Sequence, residues 1–377
     1  MEERTLHHQQ DAEDFVRGCA FFGTGGGGSP RRGLEYLSGA LKQKGSVTWI
    51  DVEEVPDDAP VISLFYMGSI SPPDPDLPRR LKELGMERRV ENELVKAYRE
   101  LEAFTKVSPP YLAAAEMGGI NTPAPIAAAM ELGLKVVDGD YGCGRANPEM
   151  ANSLVGAGGY PVYPVAFCDY AGSVTVVKEA PSIPMVERIG KLVSSASFGL
   201  VGSAGYLLSG RQMKEAIYRG TLTRALQLGR TIRRARETGA DPVAAAVEFC
   251  GGWLLFKGRV VEKRWEDREG YMFGHYCLEG ADQFAGRSFK VWYKNENHIS
   301  WLDGKPYVTS PDSIIAVTLP DGEPITNTDI AEGQQLAVVG IAAGAPYRTP
   351  AGLAVMGPRH YGFDLEYRPI EQIMGNR

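Results

Sequence analysis

The chain has 377 residues, 44% of them hydrophobic and 23% charged, with a net charge of −7. That length exceeds one ordinary core and points to about two domains, while the acidic balance argues against nucleic acid as the main partner, which would want a basic face. No apolar run approaches the roughly 20 residues that span a bilayer; the acidic, polar start MEERTLHHQQDAEDF lacks secretory character, and five cysteines without a CxxC pair speak against a disulfide framework. The expectation is a cytoplasmic globular protein with free thiols that acts on a small molecule.

In chain order, four consecutive glycines, Gly25 to Gly28, sit in FFGTGGGGSPRRG (21–33) ahead of a helical spacing of Leu34, Leu37 and Leu41. The stretches 46–51 and 59–69 read as buried strands, 87–104 as a charged amphipathic helix, and 110–119 as a strand ending in a glycine turn. A helix over 124–133, a strand over 134–140 and a helix over 147–157, with Pro148 in its first turn, follow. Strands alternating with helices of about ten residues predict a mostly parallel sheet with helices on both faces.

From about residue 185 the pattern turns helical, and TIRRAR (231–236) reads as the exposed face of a helix. From CGGW onward short strands dominate, at 253–264, 271–279, 287–293, 297–302, 313–318 and 335–342, punctuated by Asp303-Gly304 and Asp321-Gly322. The expected division is an α/β domain with a helical extension over 1–250 and an all-β sandwich or barrel over 251–377.

Ligands of parallel α/β sheets bind at the carboxyl ends of the strands, where helix N-termini present unpaired N–H groups. Three stretches fit that description: GTGGGGSP (23–30), EMGGINTPAP (116–125) and DGDYGCGRANPE (138–149). In the first, Thr24 and the backbone of Gly25, Gly26, Gly27 and Gly28 are candidates to approach a ligand; a tight turn packed on the sheet is the alternative. No lysine follows, so the run is not a P-loop, and Gly23, Gly25 and Gly28 give only a weak dinucleotide signature.

In the second stretch Glu116 and Asn121 suit the hydrogen-bonding edge of a small molecule, or a surface charge and a cap. In the third, Asp140 and Glu149 are candidate proton acceptors and Arg145 a bidentate clamp. Cys143, beside a helix start and an arginine, is a candidate nucleophile with its thiolate favoured. The blander reading makes Asp140 a cap, pairs Arg145 with Glu149 and leaves Cys143 filling a turn. A fourth glycine and serine turn, FGLVGSAGYLLSG (198–210), offers Ser203 for substrate binding, without the GxSxG elbow of a hydrolase triad.

No cofactor is named by the sequence, and a divalent metal stays open. The carboxylates of 138–149 stand ahead of the scattered histidines as its ligands. His275 and Cys277, two apart on one strand face, form half of a site, where zinc wants three or four ligands. His298, beside NEN (295–297), and His360 complete the candidate histidines.

FFGTGGGGSPRRG, EMGGINTPAPIAAA, VVDGDYGCGRANPEM, GSAGY, GWLLFKGRVV, KNENHISW and PYRTPAGLAVMGPRHYGFD, in that order over about residues 11–364, resemble the DUF917 family. Some of its members are called S-methyl thiohydantoin desulfurases and others hydantoinase-related. The resemblance implies an N-terminal α/β domain and a C-terminal β domain similar to the small composite β domain of cyclic-amide hydrolases. It also implies action on a hydantoin-type ring, with water replacing an S-methyl group and methanethiol leaving. In that chemistry Asp140 or Glu149 is the candidate base, Arg145 and the 25–28 N–H groups the candidate stabilisers, and Cys143 a covalent alternative. A non-catalytic, metabolite-binding or accessory subunit of a hydantoinase or oxoprolinase-type assembly is the second reading, a nucleotide-dependent enzyme the third, and a homo-oligomer stays open.

Overall fold

The computed structural model describes residues 4–72 and 74–375; residues 1–3 of the polar N-terminal stretch, Pro73 and the last two residues lie outside it. Its strands in chain order are β1 (Thr5–Leu6), β2 (Val47–Ile50), β3 (Pro60–Met67), β4 (Tyr111–Ala114), β5 (Lys135–Asp140), β6 (Val165–Cys168), β7 (Val174–Val177), β8 (Val201–Ser209) and β9 (Tyr218–Arg219), followed by β10 (Trp253–Arg268), β11 (Tyr271–Gly280), β12 (Ser288–Lys294), β13 (Glu296–Leu302), β14 (Lys305–Thr309), β15 (Ser313–Thr318) and β16 (Gln335–Ile341). The first nine form one sheet, ordered β1-β2-β5-β4-β3-β8-β6-β7 with β9 beside β5, and the rest form a second, ordered β14-β13-β12-β11-β10-β16-β15.

Parallel pairing is confined to the centre of the first sheet, where β2, β5, β4 and β3 run together. Its flanks, β1 on one side and β8, β6 and β7 on the other, are antiparallel. The fold is therefore mixed α/β with a parallel centre and a separate antiparallel sheet. Strand β3 shows why both faces are covered. Ile62, Leu64 and Tyr66 face one apolar core, and Val61, Phe65 and Met67 face the other. Its PVISLFYM run is continuous because the period-2 alternation serves two buried faces. The second sheet is all antiparallel and curls, so that the Asn297 amide on β13 donates to the Ile314 carbonyl on β15 at 2.9 Å.

Local chemistry moves several expected boundaries. The helix expected over 87–104 is Glu93–Thr105, because the Asn92 side chain accepts the N–H groups of Leu94 and Val95 and starts it there. The helix expected over 147–157 is a 3-10 turn, Met150–Asn152, and one short turn, Leu154–Ala157. Asn152 accepts the Glu149 N–H and Ser153 accepts that of Gly156, so side chains take donors a longer helix would use. Residues 201–209, expected as a turn, are the interior strand β8. Its glycine admits a neighbour: a Cβ at Gly202 would lie 2.5 Å from the Glu93 carbonyl carbon.

The TIRRAR stretch is not a plain solvated face either. Arg233 reaches the fully buried Asp14 at 2.8 Å, and Arg236 binds Glu323 next to the second sheet. Among the described residues, no helix is long and apolar enough to cross a membrane.

Candidate functional site

The four glycines are where the two sheets meet. A Cβ at Gly26 would lie 1.9 Å from Glu296 Oε1, and one at Gly25 would lie 2.7 Å from the Asn327 amide nitrogen and 2.8 Å from that of Asn297. On the other side, a Cβ at Gly27 would lie 2.4 Å from the Gly118 Cα. No side chain fits between these elements, which is the physical need for the run. Its polar groups are spent on the same junction. The Thr24 carbonyl accepts from the Asn297 N–H at 2.8 Å and the Gly25 carbonyl from the Asn327 N–H at 2.7 Å. The Gly27 carbonyl accepts from Ile120 and Asn121, and the Gly27 N–H donates to Glu296 Oε1 at 3.1 Å. Gly25 and Gly26 therefore hold the sheets together, while Gly27 and Gly28 reach a cavity.

That cavity, of about 70 Å³, is lined by Glu116, Asn121, Asn147, Lys191, Asn295 and Glu296, among others. Its floor is the EMGG turn after β4. Glu116 accepts from the Asn121 amide at 2.8 Å through one oxygen and from the Asn147 N–H at 2.8 Å through the other. Asn121 is itself fixed, accepting the Tyr66 N–H and donating to the Tyr66 carbonyl. Glu296, the first residue of β13, has Oε1 on the Gly27 N–H and leaves Oε2 buried without a partner. Burial raises the proton affinity of both carboxyls, and the charge of Glu116 raises that of Glu296 further.

The cation facing this pair is Lys191, on the helix Ile183–Ala196. Its ammonium donates to the Gly68 carbonyl at 3.2 Å, lies 3.7 Å from Glu187 and sits 3.9 Å from the centre of the Tyr271 ring. Desolvation lowers its pKa. Sequence reading passed over Lys191, which appears only as one cation in an amphipathic helix. Glu296 did leave a signal: Asn295, Glu296 and Asn297 are three consecutive polar residues leading into a strand, and all three are buried.

Of the DGDYGCGRANPE residues, Asn147, Pro148 and Glu149 line this cavity, while Asp138, Asp140, Cys143 and Arg145 are placed elsewhere. Asp140 is fully buried and accepts the N–H groups of Gly142 and Gly144, holding its own turn; burial pushes its pKa up to about 7. Asp138 is spent on Leu222 and Thr223. Glu149 lines the cavity, but its partners make it a weak base. Burial pushes it up, yet the hydrogen bond from His360 and the charges of Lys294 and His360 outweigh that and bring it to about 2. Nor does it pair with Arg145. The three carboxylates bind different partners: Asp140 its own turn, Asp138 Thr223, and Glu149 Lys294.

Arg145 is buried and satisfied by the protein itself. Its guanidinium donates to the carbonyls of Ala146, Pro311 and Asn297 and to Thr24 Oγ1, tying the turn to the second sheet. Cys143, at φ 58, lies against Tyr218, Gly344 and Tyr347 beside Arg145. Burial and the charge of Asp140 push its thiol up despite that arginine, the reverse of an activated thiolate. Ser203 is fully buried within β8, its hydroxyl donates to the Val201 carbonyl at 3.4 Å, and it does not line the cavity. His298 is buried and stacked on Tyr361 at 3.9 Å, a core histidine.

A mixed α/β sheet joined to a curled antiparallel sheet, with buried carboxyls and a lysine at the junction, defines the class. Residues 10–179 match the S-Me-THD-like N-terminal domain and residues 182–370 the S-Me-THD-like C-terminal domain, so the chain belongs to the S-Me-THD-like family. The X-ray structure of a protein from Chromobacterium violaceum, a structural genomics target, is similar in fold, with a TM-score of 0.78 at 24% identity over 97% of this chain and 99% of that one. No curated protein matches the chain.

Proposed function

We propose that the protein is a hydrolase of a hydantoin-type ring, acting as an S-methyl thiohydantoin desulfurase. Water adds to the ring carbon bearing sulfur, the C–S bond breaks, and methanethiol leaves with a proton as the carbonyl of the hydantoin forms. The observation that carries this reading is the pair of buried carboxyls, Glu116 and Glu296, lining one small cavity, with burial raising the proton affinity of both. Two like groups in a desolvated site share a proton, and their surroundings decide which holds it. Glu116 accepts two hydrogen bonds, which favours its ionised form and the role of general base toward water. Glu296 keeps the proton on its unpartnered oxygen and is the general acid toward the ring nitrogen or departing sulfur. Lys191 offsets the charge developing on the ring. In this reading the second sheet corresponds to the composite β domain of cyclic-amide hydrolases, and it supplies the acid.

The test is incubation of the purified protein with S-methyl thiohydantoins, hydantoins and other cyclic imides, followed by mass spectrometry. Methanethiol release that falls about 10²- to 10⁴-fold in both Glu116→Gln and Glu296→Gln supports the assignment. Turnover that survives both replacements removes the carboxyl pair from the mechanism. No turnover of any substrate by folded protein favours the binding or accessory role instead.

A further inference from the structure

The outer face of the second sheet carries three ligating side chains of different chemistry, none of them lining the cavity: Glu262 on β10, and His275 and Cys277 on β11. Cys277 and His275 share a face because strand side chains alternate. A β-bulge between Val260 and Glu262 shifts the register of β10, so that Glu262 stands directly opposite Cys277. Bulges re-aim side chains in this way. One ligand atom from each residue lies within 4.8 Å of the others, and His275 Nε2 is 3.9 Å from Glu262 Oε2. The carboxylate is divided in its work: its other oxygen, Oε1, accepts from the Arg264 guanidinium at 3.2 Å, which fixes its orientation. All three residues are only partly exposed.

We propose that Glu262, His275 and Cys277 form a site for a zinc-class divalent cation, with water in the fourth position. Thiolate, imidazole and carboxylate together select zinc over magnesium or calcium, which take oxygen ligands. Bond lengths of about 2.0–2.3 Å put tetrahedral ligand atoms roughly 3.3–3.8 Å apart, so the three side chains close by about 1 Å on binding. The Cys277 S–H bond breaks, its proton passes to solvent, and the sulfur pair coordinates the metal. Zinc with one thiolate and one carboxylate is neutral overall, and Arg264 stays as the outer partner of Glu262.

The test is titration of the full chain with cobalt(II) chloride, then displacement by zinc. One equivalent, a near-ultraviolet thiolate-to-cobalt band and loss of that band in Cys277→Ser are expected. Cys143→Ser and Cys250→Ser keep it, and His275→Gln and Glu262→Gln each weaken binding at least about tenfold. Circular dichroism confirms that each variant is folded; if Cys277→Ser is not, the His275 and Glu262 variants decide. A band that persists in Cys277→Ser, affinity unchanged in His275→Gln and Glu262→Gln, or no binding of either metal, overturns the site.

Discussion

Cys143 shows how one residue's setting reverses what its neighbours in sequence suggest. An arginine two positions away and a turn at a strand end favour a thiolate on paper. In the folded chain the Arg145 guanidinium is occupied by carbonyls, and burial among Tyr347, Tyr218 and Met356 keeps the sulfur protonated. Cys143→Ser is therefore expected to leave kcat/KM for methanethiol release unchanged, and a pre-steady-state burst of covalent intermediate is not expected. Loss of turnover in that variant without loss of fold would restore the covalent mechanism. Arg145 itself is a structural tie. Arg145→Met leaves buried carbonyls of the second sheet unpaired and is expected to lower stability by about 2 kcal/mol or more, measured by urea unfolding. An Arg145 that mainly held substrate would instead raise KM with stability unchanged.

At the scale of elements, the glycine loop gives the sharpest prediction. Gly26 has room for nothing, since its Cβ would meet the Glu296 carboxylate. Gly26→Ala is expected to cost about 1–3 kcal/mol by overpacking and to depress turnover by displacing the carboxyl. Gly39, within the helix Pro30–Lys44, meets no atom within 4 Å, so Gly39→Ala is expected to stabilise by about 0.4–1 kcal/mol. Equal thermal shifts for the two would sink this account of the loop.

The same loop marks what was legible in the sequence. That the glycines make a close approach was readable. That they approach Glu296, 270 positions along from Gly26, was not, because sequence spacing carries no record of which sheet edge folds onto which loop. Six of the seven strands of the second sheet were readable from alternation and turn residues, within a few positions; the short β14, which follows the Asp303-Gly304 turn, was not. β8 was not: Gly202, Ser203, Ala204 and Gly205 look like turn chemistry, and only the crowding by Glu93 and Val165 explains small residues inside a strand. Glu116 and Asn121 were readable because they sit in a turn between a strand and a helix. Lys191 lies mid-helix and was hidden.

The whole molecule stores buried acid groups at its junction, and this sets how stability depends on pH. Glu296, Glu116 and Asp140 all have raised proton affinity in the fold, chiefly through burial. A carboxyl whose folded pKa lies above its unfolded value binds more protons folded than unfolded between the two. Its contribution to stability is complete below the unfolded pKa and is lost as pH rises through the folded one. Glu149 works in the opposite sense: held at about 2, it stabilises above its ordinary range and is lost only as pH falls toward that value. Lys191, lowered by burial, works in the sense opposite to the raised carboxyls: its cost is relieved as pH rises and its proton leaves. The fold is thus expected to be most stable at mildly acid pH and to weaken toward and beyond neutrality. Glu296→Gln removes one of the raised carboxyls without changing shape, so the melting temperature of the variant relative to wild type should climb from pH 5 to pH 8. The buried amide it introduces adds an offset that does not vary with pH, so the slope of the difference, not its sign at one pH, is the readout. Parallel melting curves across that range would mean that Glu296 is ionised throughout, and the acid role assigned to it would fall with the prediction.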